Sequence, residues 1–308
     1  MTRIAVLCSG QGAQSATMFD LLADMPAAEP VFRHASGLLG SDPRHLVREA
    51  SSAAIHEDKL GQILCCTQAM AAWAVLGEAL QRPLLVAGYS VGELAAWGVA
   101  GLLDASGVLD LAARRAAAMD AATTQPSGLA AIRGLSRAVL EPICKAHGAF
   151  IAIVNAADQM LVGGSHDALA DVTREALSKG ALHATMLQVA VASHTPLLAE
   201  ASESFHRTLD AAPIRADMPS DIRLLSGIDG AVVLDVSAGA AKLARQIRQT
   251  VDWAACMDAC HAAGVTKVVE LGPGAALARM ARDVLPEADV HSVAEFRSPA
   301  GLLKWAKK

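Results

Sequence analysis

Leu84–Leu103 reads LLVAGYSVGELAAWGVAGLL, and how this stretch folds decides the rest of the chain. About twenty apolar residues suffice to cross a bilayer, and the run has that length. It also carries Ser90, Glu93 and four glycines, and a lipid-facing span would have to bury the polar two without partners. Pro83 stands immediately before it and stops the preceding helical pattern. A strand over Leu84–Ala87, a sharp turn and a helix account for the same letters better than a membrane span does. Gly88-Tyr89-Ser90-Val91-Gly92 then fits G-x-S-x-G, the pattern of a nucleophile elbow. The two glycines have a steric reason, because the turn brings backbone so close that side chains there would clash. Ser90 is thereby held under strain at the end of a strand. Its hydroxyl faces the free N–H groups and partial positive charge of the next helix, a setting suited to a developing oxyanion. Three letters are a weak pattern by themselves; the strand–turn–helix context strengthens them.

Outward from the elbow, the composition agrees with an α/β protein. The 308 residues are 53% hydrophobic but only 3% aromatic, so Ala, Val, Leu and Ile must fill the interior. Net charge is −5 from 26 basic and 31 acidic residues, well mixed, without the basic stripe of a nucleic-acid binder. The six cysteines, Cys8, Cys65, Cys66, Cys144, Cys256 and Cys260, follow no C-x-x-C spacing and read as small buried hydrophobes in a reducing compartment. Cys256, Cys260 and His261 share a helix but lack a second ligand pair, so no metal is expected. MTRIAVLCSG lacks the layout of a signal peptide, and a cytoplasmic location is expected.

Strand and helix alternate along most of the chain, which predicts a mostly parallel sheet covered on both faces. Arg3–Cys8 reads as a strand, SGQGAQ (Ser9–Gln14) as a Gly-rich loop, and Asp58–Leu80 as one long helix. Gly128–Ala190 has a separate rhythm. LAAIRG, AFIAIVN, QMLVGG and LHATMLQV read as strands, with helices over Ser136–His147 and His166–Lys179. That βαββαβ order is the ferredoxin-like pattern. The expected domains are therefore residues 1–127 with 191–308, and an inserted module at 128–190. Beyond the module come a helix over Pro196–Leu209, a strand at Ile222–Ser226, two helices spanning roughly Ala238–Ala263, the strand KVVELG and a GPG turn at Gly272–Gly274.

Six motifs occur in one order: GQGAQ at 10–14, GYSVGE at 88–93, RRAAAM at 114–119, NAADQMLVGG at 155–164, VASH at 191–194 and VVELGPG at 268–274. Together they resemble the malonyl-CoA:acyl carrier protein transacylase family, from Ile4 to about Arg282. The resemblance implies an α/β-hydrolase-like core with an inserted ferredoxin-like subdomain. It also implies transfer of a malonyl group from malonyl-CoA to an acyl carrier protein, with no cofactor. Fatty-acid biosynthesis is the setting it implies first. Ser90 corresponds to the nucleophile and His194 to the general base, with the oxyanion hole at the Gln11 and Val91 amides. Arg115 corresponds to the arginine that grips the malonyl carboxylate, for which its planar fork is suited. Gln68 and Asn155 match positions lining the acyl pocket.

Two residues depart from the family pattern. Tyr89 stands where His is usual. Asp252, in TVDW, stands where many members have Gln and where main-chain carbonyls orient the histidine. Either a carbonyl still does so or the Asp252 carboxylate makes a triad; the carbonyl is the expected arrangement. VASH lacks the large aromatic that some malonyl-selective members carry before the histidine, which leaves room for an α-branched malonyl group. Two alternatives stand beside the transacylase. One is the malonyl-transfer subunit of a malonate decarboxylase, which uses the same chemistry on another carrier. The other is a serine esterase or thioesterase, disfavoured because its histidine falls late in the chain.

Overall fold

The computed structural model describes residues 3–308. In chain order the strands are β1 (Ile4–Cys8), β2 (Leu84–Gly88), β3 (Ser127–Arg133), β4 (Phe150–Ala156), β5 (Gln159–Ser165), β6 (His183–Met186), β7 (Ile222–Leu224), β8 (Val251–Asp252), β9 (Lys267–Leu271) and β10 (Asp289–Ser292). Five of them form a parallel sheet in the order β10-β9-β1-β2-β7. Every residue of β1, β2 and β9 is buried, as a sheet covered on both faces requires. Successive β1 side chains divide between the two layers. Ile4, Val6 and Cys8 pack with the helices Asp58–Leu76, Gly92–Val99 and Ala105–Ala122, whereas Ala5 and Leu7 pack with Trp253–Ala262 and Ala276–Val284. The apolar Leu84–Leu103 run is therefore a buried strand, a turn and a short buried helix. Among the described residues no helix is long and apolar enough to cross a membrane.

In register, Cys8 lies between Gly88 and Leu271. The loops that follow β1, β2 and β9 thus leave the sheet together at its carboxyl edge, where open α/β sheets place their ligands. SGQGAQ, the Ser90 turn and the GPG turn become neighbours although they are far apart in sequence.

The second sheet runs β6-β3-β5-β4-β8. Its first four members are the fourth, first, third and second strands of the βαββαβ module, paired antiparallel. The helices Arg137–Ala146 and His166–Ser178 cover it with their own small core. β8 comes from outside the module and pairs parallel with β4. It lies between the two helices expected over Ala238–Ala263, which run Val236–Arg245 and Trp253–Ala262. The helix expected to reach Leu80 ends at Leu76, just before Gly77. All six cysteines are free and buried. Cys256 and Cys260 belong to the apolar core, and no cluster of three or more metal-ligating side chains occurs among the described residues.

Candidate active site

The turn after β2 is built by steric exclusion. A Cβ at Gly88 would overlap the backbone of Glu93, and one at Gly92 would overlap the Cys8 carbonyl and come within 2.6 Å of the Ser9 carbonyl oxygen. Gly10 lies against the same turn: a Cβ there would sit 2.7 Å from the Tyr89 carbonyl oxygen and 3.3 Å from Ser90 Cβ. Ser90 itself has φ +55°, and His194 has φ +63°. Among the described residues these are the two non-glycine positions with positive φ. Such conformations cost about 1–3 kcal/mol each and persist where surrounding structure imposes them. The strain falls on the two residues that meet.

Ser90 Oγ lies 2.8 Å from His194 Nε2, across 104 residues of sequence. On the other side of the ring, Nδ1 is 2.6 Å from the main-chain oxygen of Gln246. A carbonyl can only accept, so Nδ1 carries the hydrogen and the Nε2 lone pair faces the serine hydroxyl. The Gln246 carbonyl is available because the helix Val236–Arg245 ends there, and the negative end of that helix dipole favours the imidazolium that proton transfer would create. The His194 amide donates to the Ile247 carbonyl at 2.8 Å, which fixes the ring from its backbone as well. Burial, reinforced by the charge of Arg115, pulls the imidazole down to about 3 and keeps it neutral. A neutral imidazole in this position can take the serine proton.

Val91 follows Ser90 at the start of the helix Gly92–Val99, and Gln11 follows Gly10 on the adjoining loop. Among the described residues neither backbone amide donates to a protein acceptor.

Arg115 projects from the helix Ala105–Ala122 and is 1% exposed. Its Nη1 donates to Gln62 Oε1 at 2.7 Å and its Nη2 to Gln246 Oε1 at 3.3 Å. Gln62 Nε2 donates to both oxygens of Asp58, at 2.9 and 2.8 Å. Gln246 Nε2 donates to the Ser90 carbonyl at 3.2 Å and to the Glu93 carboxylate. One residue, Gln246, thus touches the serine, the histidine and the arginine. Desolvation pushes the Asp58 carboxyl up to about 6 and that of Glu93 up to about 7.

Three further residues singled out in the sequence make contacts of their own. Asp252 does not hold His194. Its carboxylate caps the helix Trp253–Ala262, accepting from the Ala255 amide at 3.0 Å, and the Gln246 carbonyl, six residues earlier, has the orienting position. Gln68 is buried with Oε1 unpartnered, and Gln62 is the glutamine that meets Arg115. Six residues along a helix turn a side chain about 120° away, so the two cannot share a face. Asn155, on β4, accepts a hydrogen bond from the Tyr89 hydroxyl at 3.1 Å. The Tyr89 ring stands edge-on to Trp253 at 5.4 Å. The unusual tyrosine therefore ties the elbow to the small sheet. Sequence reasoning missed Asp58, Gln62, Glu93 and Gln246. The one local signal was the Asp58–Gln62 spacing of four on a helix.

A cleft of about 830 Å³ opens onto His194 and Pro196. Arg137, Glu141 and Lys145 of the small module line it together with Arg248 and Thr250, and Arg137 pairs with Glu141 at 3.5 Å.

Residues 6–299 match the model of the acyl transferase domain family. The chain belongs to that family. Among curated relatives, a malonyl CoA-acyl carrier protein transacylase of Mycobacterium tuberculosis is 31% identical, over 97% of this chain and 98% of its own. A protein of the same name from Salmonella typhimurium is 28% identical over 98% of both. Solved structures agree. An acyl-carrier-protein S-malonyltransferase from Burkholderia pseudomallei has a TM-score of 0.89 at 29% identity, covering 98% of this chain and 100% of its own. The MCAT of M. tuberculosis has a TM-score of 0.88 at 30% identity, covering 99% and 100%. The family read from the six motifs is thus shown along nearly the whole acyl transferase chain, and so is the fold class.

Proposed function

We propose that this chain moves a malonyl group from malonyl-CoA to the thiol of an acyl carrier protein through an acyl-Ser90 intermediate. The observation that carries the reading is the 2.8 Å contact between Ser90 and a neutral His194, set beside a buried arginine. Ser90 Oγ attacks the thioester carbonyl while His194 Nε2 takes its proton. The negative oxygen of the tetrahedral intermediate sits at the Val91 and Gln11 amides, where one donor contributes about 10²–10³ in rate. Collapse breaks the carbon–sulfur bond, and the leaving thiolate takes the proton from His194. The carrier thiol then gives its proton to His194, attacks the acyl ester, and Ser90 recovers the proton. Arg115 engages the free malonyl carboxylate with the donors that Gln62 and Gln246 leave unused. Protein groups and two thiols carry every step, and no cofactor is called for.

The division of labour follows the two parts of the chain. Residues 1–127 and 191–308 carry the nucleophile, base and arginine, and residues 128–190 close the cleft. Arg137, Lys145 and Arg248 suit the phosphates of a pantetheine arm and an acidic carrier. Six free buried cysteines are in keeping with a cytoplasmic site. The reading is tested by incubating the protein with malonyl-CoA or acetyl-CoA and then offering the acyl-enzyme a carrier thiol or water. A malonyl-loaded enzyme that discharges faster to the thiol supports transfer. Faster discharge to water would make it a hydrolase.

A further inference from the structure

Two buried carboxylates each stand one glutamine away from Arg115, and neither touches it. Asp58 accepts from Gln62, and Glu93 accepts from Gln246. Each glutamine then gives its oxygen to Arg115. Among the described residues no carboxylate stands within 4.0 Å of the guanidinium. A carboxamide can be turned either way. A carboxylate behind it leaves one orientation, with N–H toward the acid and oxygen toward the arginine.

We propose that Asp58 and Glu93 are specificity-determining residues that aim Gln62 and Gln246 at Arg115 and take up a proton when a substrate carboxylate occupies it. This inference rests on the reading of Arg115 as the partner of the malonyl carboxylate. A third anion brought to one guanidinium in a dry site cancels the attraction that holds the first two ionised. Arg115 at present keeps both carboxyls lower than burial alone would leave them. With that help spent on the ligand, a proton from the buffer settles on Glu93, Asp58 or both as a coupled pair. The other ionisable groups around Glu93 are Asp229 and Cys256; around Asp58 there is Asp120. His194 also feels Arg115, but it titrates near 3, far from neutral pH.

Occupied-state values lie above the free ones of about 6 and 7, so carboxylate affinity is full below that range. It falls as pH rises through the occupied-state values. Acetyl, with no carboxylate, escapes the dependence. One pKa unit of coupling is a tenfold effect, so malonyl-over-acetyl binding should drop about tenfold from about pH 6 to 8.

The test is titration calorimetry of malonyl-CoA into the Ser90→Ala protein, near pH 7, in two buffers of different ionisation heat. Acetyl-CoA is the control, and protons on the shared CoA phosphates cancel between the two ligands. The expected result is proton uptake with malonyl-CoA alone, cut by about half in Glu93→Gln or Asp58→Asn, since each removes one of the two coupled acids. If neither variant folds, the buffer comparison in the parent still decides. Equal uptake for both ligands, or uptake that survives both substitutions, overturns the inference. Malonyl-CoA binding no tighter than acetyl-CoA instead overturns the reading of Arg115, and the inference with it.

Discussion

The elbow at Ser90 and the pocket around Arg115 adjoin, yet they are built by opposite means. The elbow is a backbone object. Gly88 and Gly92 fit because any side chain would strike main chain a few residues or one strand away, and Ser90 takes its positive φ from that crowding. The pocket is a side-chain object. Asp58, Gln62, Arg115, Gln246 and Glu93 come from four separate segments, and the hydrogen bonds between them span up to 153 residues of sequence. Crowded backbone tolerates no substitution but needs no partner. A polar network tolerates conservative change only while every member keeps its hydrogen bonds. A reactive atom is thus placed by rigid geometry, and the group that selects the substrate is placed by adjustable charge.

The largest expected effect tests whether the elbow acts alone. His194→Ala leaves the turn intact and removes the base, so the rate of acylation measured by rapid quench should fall by about 10⁴–10⁶. A fall of less than tenfold would mean that the strained serine needs no imidazole. Next comes Arg115→Ala, which should lower acylation by malonyl-CoA relative to acetyl-CoA about ten- to a hundredfold, the scale of a charge-assisted pair. Equal loss for both thioesters would separate the pocket from selectivity. Gly92→Ala should destabilise the fold by about 1–3 kcal/mol, read as a denaturant midpoint, because Cys8 and Ser9 leave no room for a methyl group. Unchanged stability would show that the elbow can relax.

The smallest effect on turnover is expected at Asp252. Asp252→Asn keeps a good helix cap and should alter turnover by less than about twofold, since the Gln246 carbonyl holds His194. A triad carboxylate would cost about 10⁴ when made neutral. The depressed imidazole of His194 adds a pH signature. The unfolded chain takes up a proton below the ordinary value of 6.5, and the folded chain does so only near 3. Stability therefore declines as pH falls through that window, and His194→Gln should flatten the decline in a urea titration series.

The same contrast explains what the sequence made legible. GYSVG was readable because its constraint is local, and βαββαβ was readable because periodicity marks each strand. β8 was not, since two residues carry no period, and its pairing with β4 comes from a distant segment. The helix from Asp58 is legible but its end at Leu76 is not, because nothing in AVLGEAL marks a stop as firmly as Pro83 does. A main-chain carbonyl is the orienting group that the sequence leads one to expect for His194, but no side-chain pattern says which residue supplies it, and Asp252 stands out only as a conspicuous carboxylate. Gln62 is silent in the sequence for a similar reason: which face of a buried helix meets Arg115 is decided by tertiary packing.

The central claim is that the Ser90 oxygen, deprotonated by His194, carries the acyl group. Mass spectrometry of peptides from protein quenched within milliseconds of mixing with malonyl-CoA tests it most directly. A malonyl label on the peptide containing Ser90, lost in Ser90→Ala and strongly slowed in His194→Ala, is the result predicted. A label on any other residue, or one that forms equally fast without His194, would contradict it.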